Sequence, residues 1–336
     1  MSADRVYRAS APVRLDFAGG WTDVAPFASA EGGVVVNAAI ELRAHAEVRP
    51  GGESWRLRAD DLGQQIELRG NGWSPADAGD LKLLAAAVRR AGLGPCAVHT
   101  RSEVPPGSGL GSSGALGVAL AAALDAARHL RRTPEEWAEA AFQLEAVDAA
   151  LPGGRQDQYA AALGSLQRLG FSDGRVVAEP LQLDPAFAAA LEQRLVVCYT
   201  GTSRLSSTTI TRVMQAYTAG DAAVVDALRL MADLADRMAK ALVAGNFTQV
   251  GRLLTANWRQ QQRLDAGIQT PEMERLERAM LAAGALGGKA AGAGAGGCMF
   301  FLVSDPAAAH AAAGRVGARV LSWKWAIGGV RVEQPA

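Results

Sequence analysis

Cysteine is nearly missing from this 336-residue chain, with three residues, at 96, 198 and 298. They are odd in number and far apart. They frame no disulfide scaffold and no zinc spacing, so a reducing compartment is the simpler expectation. Histidine is equally scarce. His45, His99, His129 and His310 are scattered and offer no metal cluster. Net charge is absent too, because 34 Lys and Arg offset 34 Asp and Glu. The chain therefore lacks the broad basic field that holds nucleic acid or anionic membrane. No apolar run reaches the roughly 18 residues of a membrane span. The start, MSADRVYRASAPVRLDF, has no apolar signal segment. These absences lead to the expectation of a cytoplasmic protein, monomer or homodimer, bound to neither nucleic acid nor membrane.

What is present is ordinary for a globular protein: 49% hydrophobic and 20% charged residues. The length suggests two domains, at about 150 residues each. Residues 1–70 read as β-rich, with strands over 6–17 and 34–48 and a hairpin in GGESWRLRADDLGQQIELRG. Leu81, Leu84, Ala85 and Val88 share a helical face in 80–91. A strand is expected over 95–104 and a helix from about Ser112 to His129. In TPEEW, Thr133 can cap a helix with Pro134 at its first position and Glu136 completing a capping box. That helix should stop at LPGG, and a short one should cover 156–163. Residues 165–200 return to strand character, and 208–283 read as helical, with a start at Thr270-Pro271-Glu272. Strand, glycine loop, strand and helix follow. Strands and helices segregate locally, so the expected class is α+β, with a seam near Gly201 dividing 1–200 from 201–336.

The segment VPPGSGLGSSGALGVAL, Val104 to Leu120, puts unusual backbone freedom before a helix. Gly109 to Gly114 matches G-x-G-x-x-G, as does Gly292 to Gly297, but a chain with 38 glycines yields such matches by chance. A dinucleotide fingerprint needs the motif against the first strand of a βαβ unit, whereas Pro105 and Pro106 intervene here. A Walker A loop fails as well, since Ala290 follows Gly287-Gly288-Lys289. A phosphate cradle fits better. Glycines 107, 109 and 111 let N–H groups converge on one anion, and the helix adds its positive end. Ser112 and Ser113 add hydroxyls. An isolated loop of this kind would still read as a capped turn. Four further features bear on it: Glu145 inside an apolar helix, Asp157 after the Gly153-Gly154 pair, APVRLDFAGGWTD with Arg14, Asp16 and Asp23, and the late glycine loop. Singly, each acid reads as a solvated charge.

As a set, APVRLDFAGGWTD, PPGSGLGSSGAL and KAAGAGAGGCMFF resemble the three motifs of the GHMP kinases, in order and across nearly the whole chain. The turn Gly20-Trp21-Thr22-Asp23 and LVVCYTGTSRLSSTTI are most similar to the D-glycero-D-manno-heptose 7-phosphate kinases and the related fucokinase domains. The resemblance implies a two-domain fold, with an N-terminal ribosomal-protein-S5-domain-2-like part, a C-terminal ferredoxin-like part and the active site in the cleft between them. It implies ATP- and Mg2+-dependent phosphorylation of the anomeric C1 hydroxyl of heptose 7-phosphate. The 1,7-bisphosphate would feed nucleotide-heptose for lipopolysaccharide, capsule or S-layer glycan. The alternative is a fucokinase-like enzyme acting on an unphosphorylated sugar.

The same resemblance assigns roles. Pro106, Gly107, Ser108, Gly109, Leu110, Gly111, Ser112 and Ser113 would wrap the ATP phosphates. Ser113 and Glu145 would hold magnesium, as oxygen ligands suit that hard cation. Asp157 would take or orient the hydroxyl proton, with Arg14 keeping it ionised. Gly20, Trp21, Thr22, Asp23 and Gly154 would meet the sugar, and Gly294, Ala295 and Gly296 would close over it. Thr202 and Arg204 would seat the substrate's own phosphate, with Arg155 and Lys82 as further candidate cations.

Overall fold

The computed structural model describes residues 5–201 and 207–333. Two sheets organise them. In the first, the order is Arg331–Glu333, Tyr7–Ala18, Gly33–Pro50, Cys96–Ser102, Trp55–Ala59 and Gln64–Leu68; Leu166–Ser172 also pairs with Gly33–Pro50 and is flanked by Arg175–Pro180. All pairings are antiparallel except Trp55–Ala59 with Cys96–Ser102. Tyr7–Ala18 changes register at Pro12/Val13 and again between Asp16 and Ala18. Pro12 has no N–H to give to a ladder, which accounts for the first irregularity. The second lies beside Asp16, where the strand gives way to the Gly19-Gly20 turn.

The alanine-rich helix Ser112–Ala127 lies on this sheet and is buried almost all round. Its small side chains allow close approach on several sides. A methyl at Gly117 would stand 3.2 Å from the Ala141 methyl of the helix Pro134–Gln143. That helix begins as expected: Thr133 Oγ1 accepts from Glu136 N–H, and the Glu136 carboxylate accepts from Thr133 N–H.

The second sheet is antiparallel, in the order Arg319–Leu321, Leu195–Tyr199, Cys298–Val303 and Ala285–Ala290. Cys298–Val303 is buried throughout, which suits its unbroken apolar run CMFFLV. Helices Ser207–Thr218, Ala222–Val243, Phe247–Leu264, Pro271–Ala282 and Pro306–Arg315 complete this part.

The sheets do not divide the chain at Gly201. Leu195–Tyr199 already belongs to the second sheet, and Arg331–Glu333 returns to the first. Within the stretch read as strand, Pro185–Arg194 is a helix, capped by Asp184, whose side chain accepts from Phe187 N–H. No helix among the described residues is long and apolar enough to cross a membrane.

Candidate active site

Between the two parts lies a cleft of about 260 Å³. Its floor is organised by Arg14, which alternates along Tyr7–Ala18 so that it and Asp16 share a face. Arg14 is only 5% exposed. Its backbone N–H donates to Leu110 O at 2.8 Å, and its Nη1 donates to Gly109 O at 2.6 Å and Ala291 O at 2.9 Å. Its Nε donates to Asp157 Oδ1 at 2.8 Å, and Nη2 lies 2.8 Å from the same oxygen. One guanidinium thus fixes the loop after Val104, the late glycine loop and the acid on the helix Gln156–Leu163.

The loop turns left-handed at Gly107, Gly109 and Gly111. At Gly111 a side chain is disfavoured twice: φ is +75°, and a Cβ would stand tightly, 3.1 Å from Asp157 Cγ and 3.2 Å from Arg14 Cγ. The helix Ser112–Ala127 begins there without a side-chain cap, so its first N–H groups face the cleft. The late loop packs against this one backbone to backbone, with Cys298 N–H donating to Ser108 O at 2.7 Å.

Glu145 lies in a widened π-type turn, Leu144–Asp148, which continues the helix Pro134–Gln143. Such turns re-aim a side chain out of α-helical phase. Ser113 Oγ donates to Glu145 Oε1 at 2.6 Å, and Gln158 Nε2 donates to Oε2 at 2.7 Å. Burial pushes the Glu145 carboxyl up to about 7, and the charge of Asp157 adds to the rise; the Ser113 hydrogen bond opposes it. Among the described residues no group of three His, Cys, Asp or Glu could hold a metal ion. The donor set of one hydroxyl and one carboxylate fits a magnesium ion that draws its other ligands from phosphate and water.

On the opposite wall, Asp23 accepts from Gln156 N–H at 3.0 Å and Gln156 Nε2 at 3.3 Å. Burial raises its carboxyl to about 6; the Gln156 N–H opposes this, and the charges of Asp157 and Asp16 add to it. Gly154 is obligatory beside it, because a Cβ would fall 1.9 Å from Asp23 Oδ2.

Of the residues expected at the site, the cleft wall gathers Arg14, Gly20, Trp21, Asp23, Gly107, Gly109, Gly111, Ser112, Ser113, Glu145, Gly154, Asp157 and Gly294. Six others stand behind or beside it. Ser108 and Leu110 point inward and support the loop. Pro106 is exposed, off the cleft wall. Thr22 turns its hydroxyl to Gly19 O and Val34 N–H, which closes the turn. Ala295 N–H is spent on Ile268 O and Gly296 N–H on Met273 Sδ. Thr202 and Arg204 lie outside the described residues. Lys82 opens the helix Lys82–Ala91 and does not line the cleft. Trp21 has φ +84° and packs most of its ring into the second hydrophobic cluster, with Nε1 unpartnered.

Three supporting residues were assigned no role from the sequence. Lys289, fully buried, donates to Asp16 Oδ2 at 2.8 Å, Asp16 O at 2.7 Å and Ala290 O at 2.8 Å. Burial lowers its ammonium pKa, and Asp16 opposes that fall. Asn257 and Gln261, one turn apart on the helix Phe247–Leu264, are also fully buried. Asn257 Oδ1 accepts from Gly19 N–H at 3.0 Å, and Gln261 Nε2 donates to Gly292 O at 2.7 Å.

Comparison with known proteins agrees with this geometry. The model for the GHMP kinases N terminal domain matches residues 81–165, and that for the GHMP kinases C terminal region matches 238–321. The chain is 30% identical over 311 residues to a D-glycero-alpha-D-manno-heptose 7-phosphate kinase of Campylobacter jejuni, covering 90% of each. It is 27% identical over 343 residues to an L-fucokinase/L-fucose-1-P guanylyltransferase of Bacteroides fragilis, covering 91% of this chain and 35% of that one. The fold superposes on a D-glycero-D-manno-heptose 1-phosphate kinase of Bacteroides thetaiotaomicron with TM-score 0.78 and 24% identity, covering 98% of this chain and 99% of that one. With both regions of the family matched in order and a relative aligned over nearly its whole length, this chain belongs to the GHMP kinases.

Proposed function

We propose that the chain is an ATP- and magnesium-dependent sugar-phosphate kinase that phosphorylates the C1 hydroxyl of D-glycero-D-manno-heptose 7-phosphate. The observation that carries the chemistry is the Arg14–Asp157 pair, which lies between the uncapped helix start and the Asp23 wall. Asp157 holds the acceptor hydroxyl and takes its proton. The hydroxyl oxygen then bonds to the γ-phosphorus of the substrate ATP, the bond to the β-phosphate oxygen breaks, and ADP leaves. Arg14 holds Asp157 in place through Nε and Nη2 and offsets charge on the transferring group. Gly107 to Ser113 supply backbone and hydroxyl donors to the phosphates. Ser113 and Glu145 would hold magnesium, which neutralises phosphate charge when bound. Asp23 and Gly154 face the sugar ring. The heptose 1,7-bisphosphate formed would be a precursor of nucleotide-activated heptose for surface glycan, made in the cytoplasm where ATP is available.

The heptose reading draws on the Campylobacter relative, which is matched along almost its full length. One observation favours an unphosphorylated sugar: Arg14, the one cation lining the cleft among the described residues, is already paired with a carboxylate. An ADP-release assay decides between them. It would use magnesium-ATP against heptose 7-phosphate, the same heptose without phosphate, sedoheptulose 7-phosphate, mannose 6-phosphate, fucose, galactose and mevalonate. Heptose 7-phosphate should give the highest kcat/KM. Turnover on fucose or galactose alone would replace this reading with the second.

A further inference from the structure

The cleft is rich in acid and poor in free cation. Asp16, Asp23, Glu145 and Asp157 all line it, and the guanidinium of Arg14 is committed to Asp157 and two carbonyls. A second dianion beside the ATP phosphates would be repelled there unless cations lay close by. A small side pocket of about 30 Å³ shares Asp23 and Gly153 with the cleft wall. Its other walls include Ser29, Ser172, Arg155 and Arg175. By the measure of about 10–15 Å³ per water, it admits a few oxygen-sized groups and no sugar ring.

The two arginines differ in how far they are used. Arg155 rests its guanidinium on the Phe142 ring at 3.9 Å and turns Nε to Glu139 at 3.3–3.4 Å, which leaves its terminal nitrogens for another acceptor. Arg175, at the start of Arg175–Pro180, is exposed and has no ion pair among the described residues. Asp23 stands at the junction. Its carboxylate is held by Gln156, the residue before Asp157, and it also walls the side pocket.

We propose that this side pocket is the seat of the acceptor's distal phosphate. Arg155 and Arg175 would grip the phosphoryl oxygens, the Ser29 and Ser172 hydroxyls would assist, and C1 would be left at Asp157. Guanidinium groups suit this task because they donate in pairs to phosphate. The inference rests on the heptose 7-phosphate reading above and adds the residues that choose a phosphorylated sugar over its unphosphorylated form.

The test compares kcat/KM for heptose 7-phosphate with that for the same heptose lacking phosphate, in wild type, Arg155→Gln, Arg175→Gln, Arg175→Lys and Arg204→Gln. Each Gln variant at 155 and 175 should lower the preference ratio by about ten-fold or more, the worth of a charge-assisted hydrogen bond. Arg175→Lys should retain part of it. Arg175 is exposed on a hairpin, so its variants should fold. Equal losses on both acceptors, or a fall in the ratio confined to Arg204→Gln, would overturn the seat while the heptose 7-phosphate reading stands. A wild type that accepts only unphosphorylated sugars overturns both.

Discussion

Asp23 shows how a single residue's chemistry is set by where its chain segment ends. Its carboxyl titrates at about 6 instead of 3.8, chiefly because burial disfavours the charge. A carboxyl raised in the folded state binds its proton more tightly there than when unfolded. Its contribution to stability is thus fully present below about pH 4 and is lost as pH rises through 6. At pH 7 the ionised form costs up to about 3 kcal/mol. Asp23→Asn should therefore melt at nearly the wild-type temperature at pH 4 and distinctly higher at pH 8, while its KM for the sugar rises. An unchanged gap between the two melting curves across that range would show that Asp23 is not buried as described. Asp23, Arg14 and Asp157 stood out in sequence because each lies in or beside a glycine turn, whereas Glu145 stood out only as an acid inside an apolar helix and took its expected role from the family resemblance. Lys289 opens the third motif and was weighed as a Walker lysine, but was given no role, since nothing local reveals that Asp16 waits for it across 273 positions.

Among the elements, the helix Phe247–Leu264 does the least visible work. Asn257 and Gln261 are polar, yet their spacing from Val250, Leu253, Leu254 and Trp258 puts them on the apolar face of this amphipathic helix. They are fully buried there, each tied to one of the glycine turns. Gln261→Leu would leave the Gly292 carbonyl buried and without this donor, at a cost of about 1–3 kcal/mol. Gly292 also packs on Gly109, where a Cβ would meet Gly109 O at 2.3 Å, so its movement reaches the carbonyl that holds Arg14. Turnover of Gln261→Leu should fall by between about 10- and 100-fold at a temperature where the variant is fully folded. Full turnover with only a lowered Tm would leave the helix a purely structural part. Other elements announced themselves. Thr133-Pro134 and Thr270-Pro271 marked helix starts that the structure contains. The same signature at Asp184-Pro185 lay within a run read as strand, where the flanking β-branched residues masked it.

The molecule is woven rather than divided. Leu195–Tyr199 forms an inner strand of the second sheet, Arg331–Glu333 borders the first, and Ala222–Val243 shares the first sheet's hydrophobic cluster through Leu234, Ala235 and Met238. A fragment ending at residue 200 would carry a strand without its sheet and an apolar face without its helix. It should fail to give a cooperative melting transition, whereas the full chain should unfold in one. A sharp, independent transition for the fragment would make residues 1–200 a domain in their own right. The sequence could not reveal this weave, because compositional seams follow local runs while strand partners are chosen at long range. Arg14 carries the weave into the order of synthesis. Its partners lie at residues 109, 157 and 291, so an emerging polypeptide holds the Asp157 carboxylate long before it holds the carbonyl that completes the arginine's grip. A ribosome-bound chain halted before Ala291 should consume no ATP, so the site would be completed only near the end of each round of translation.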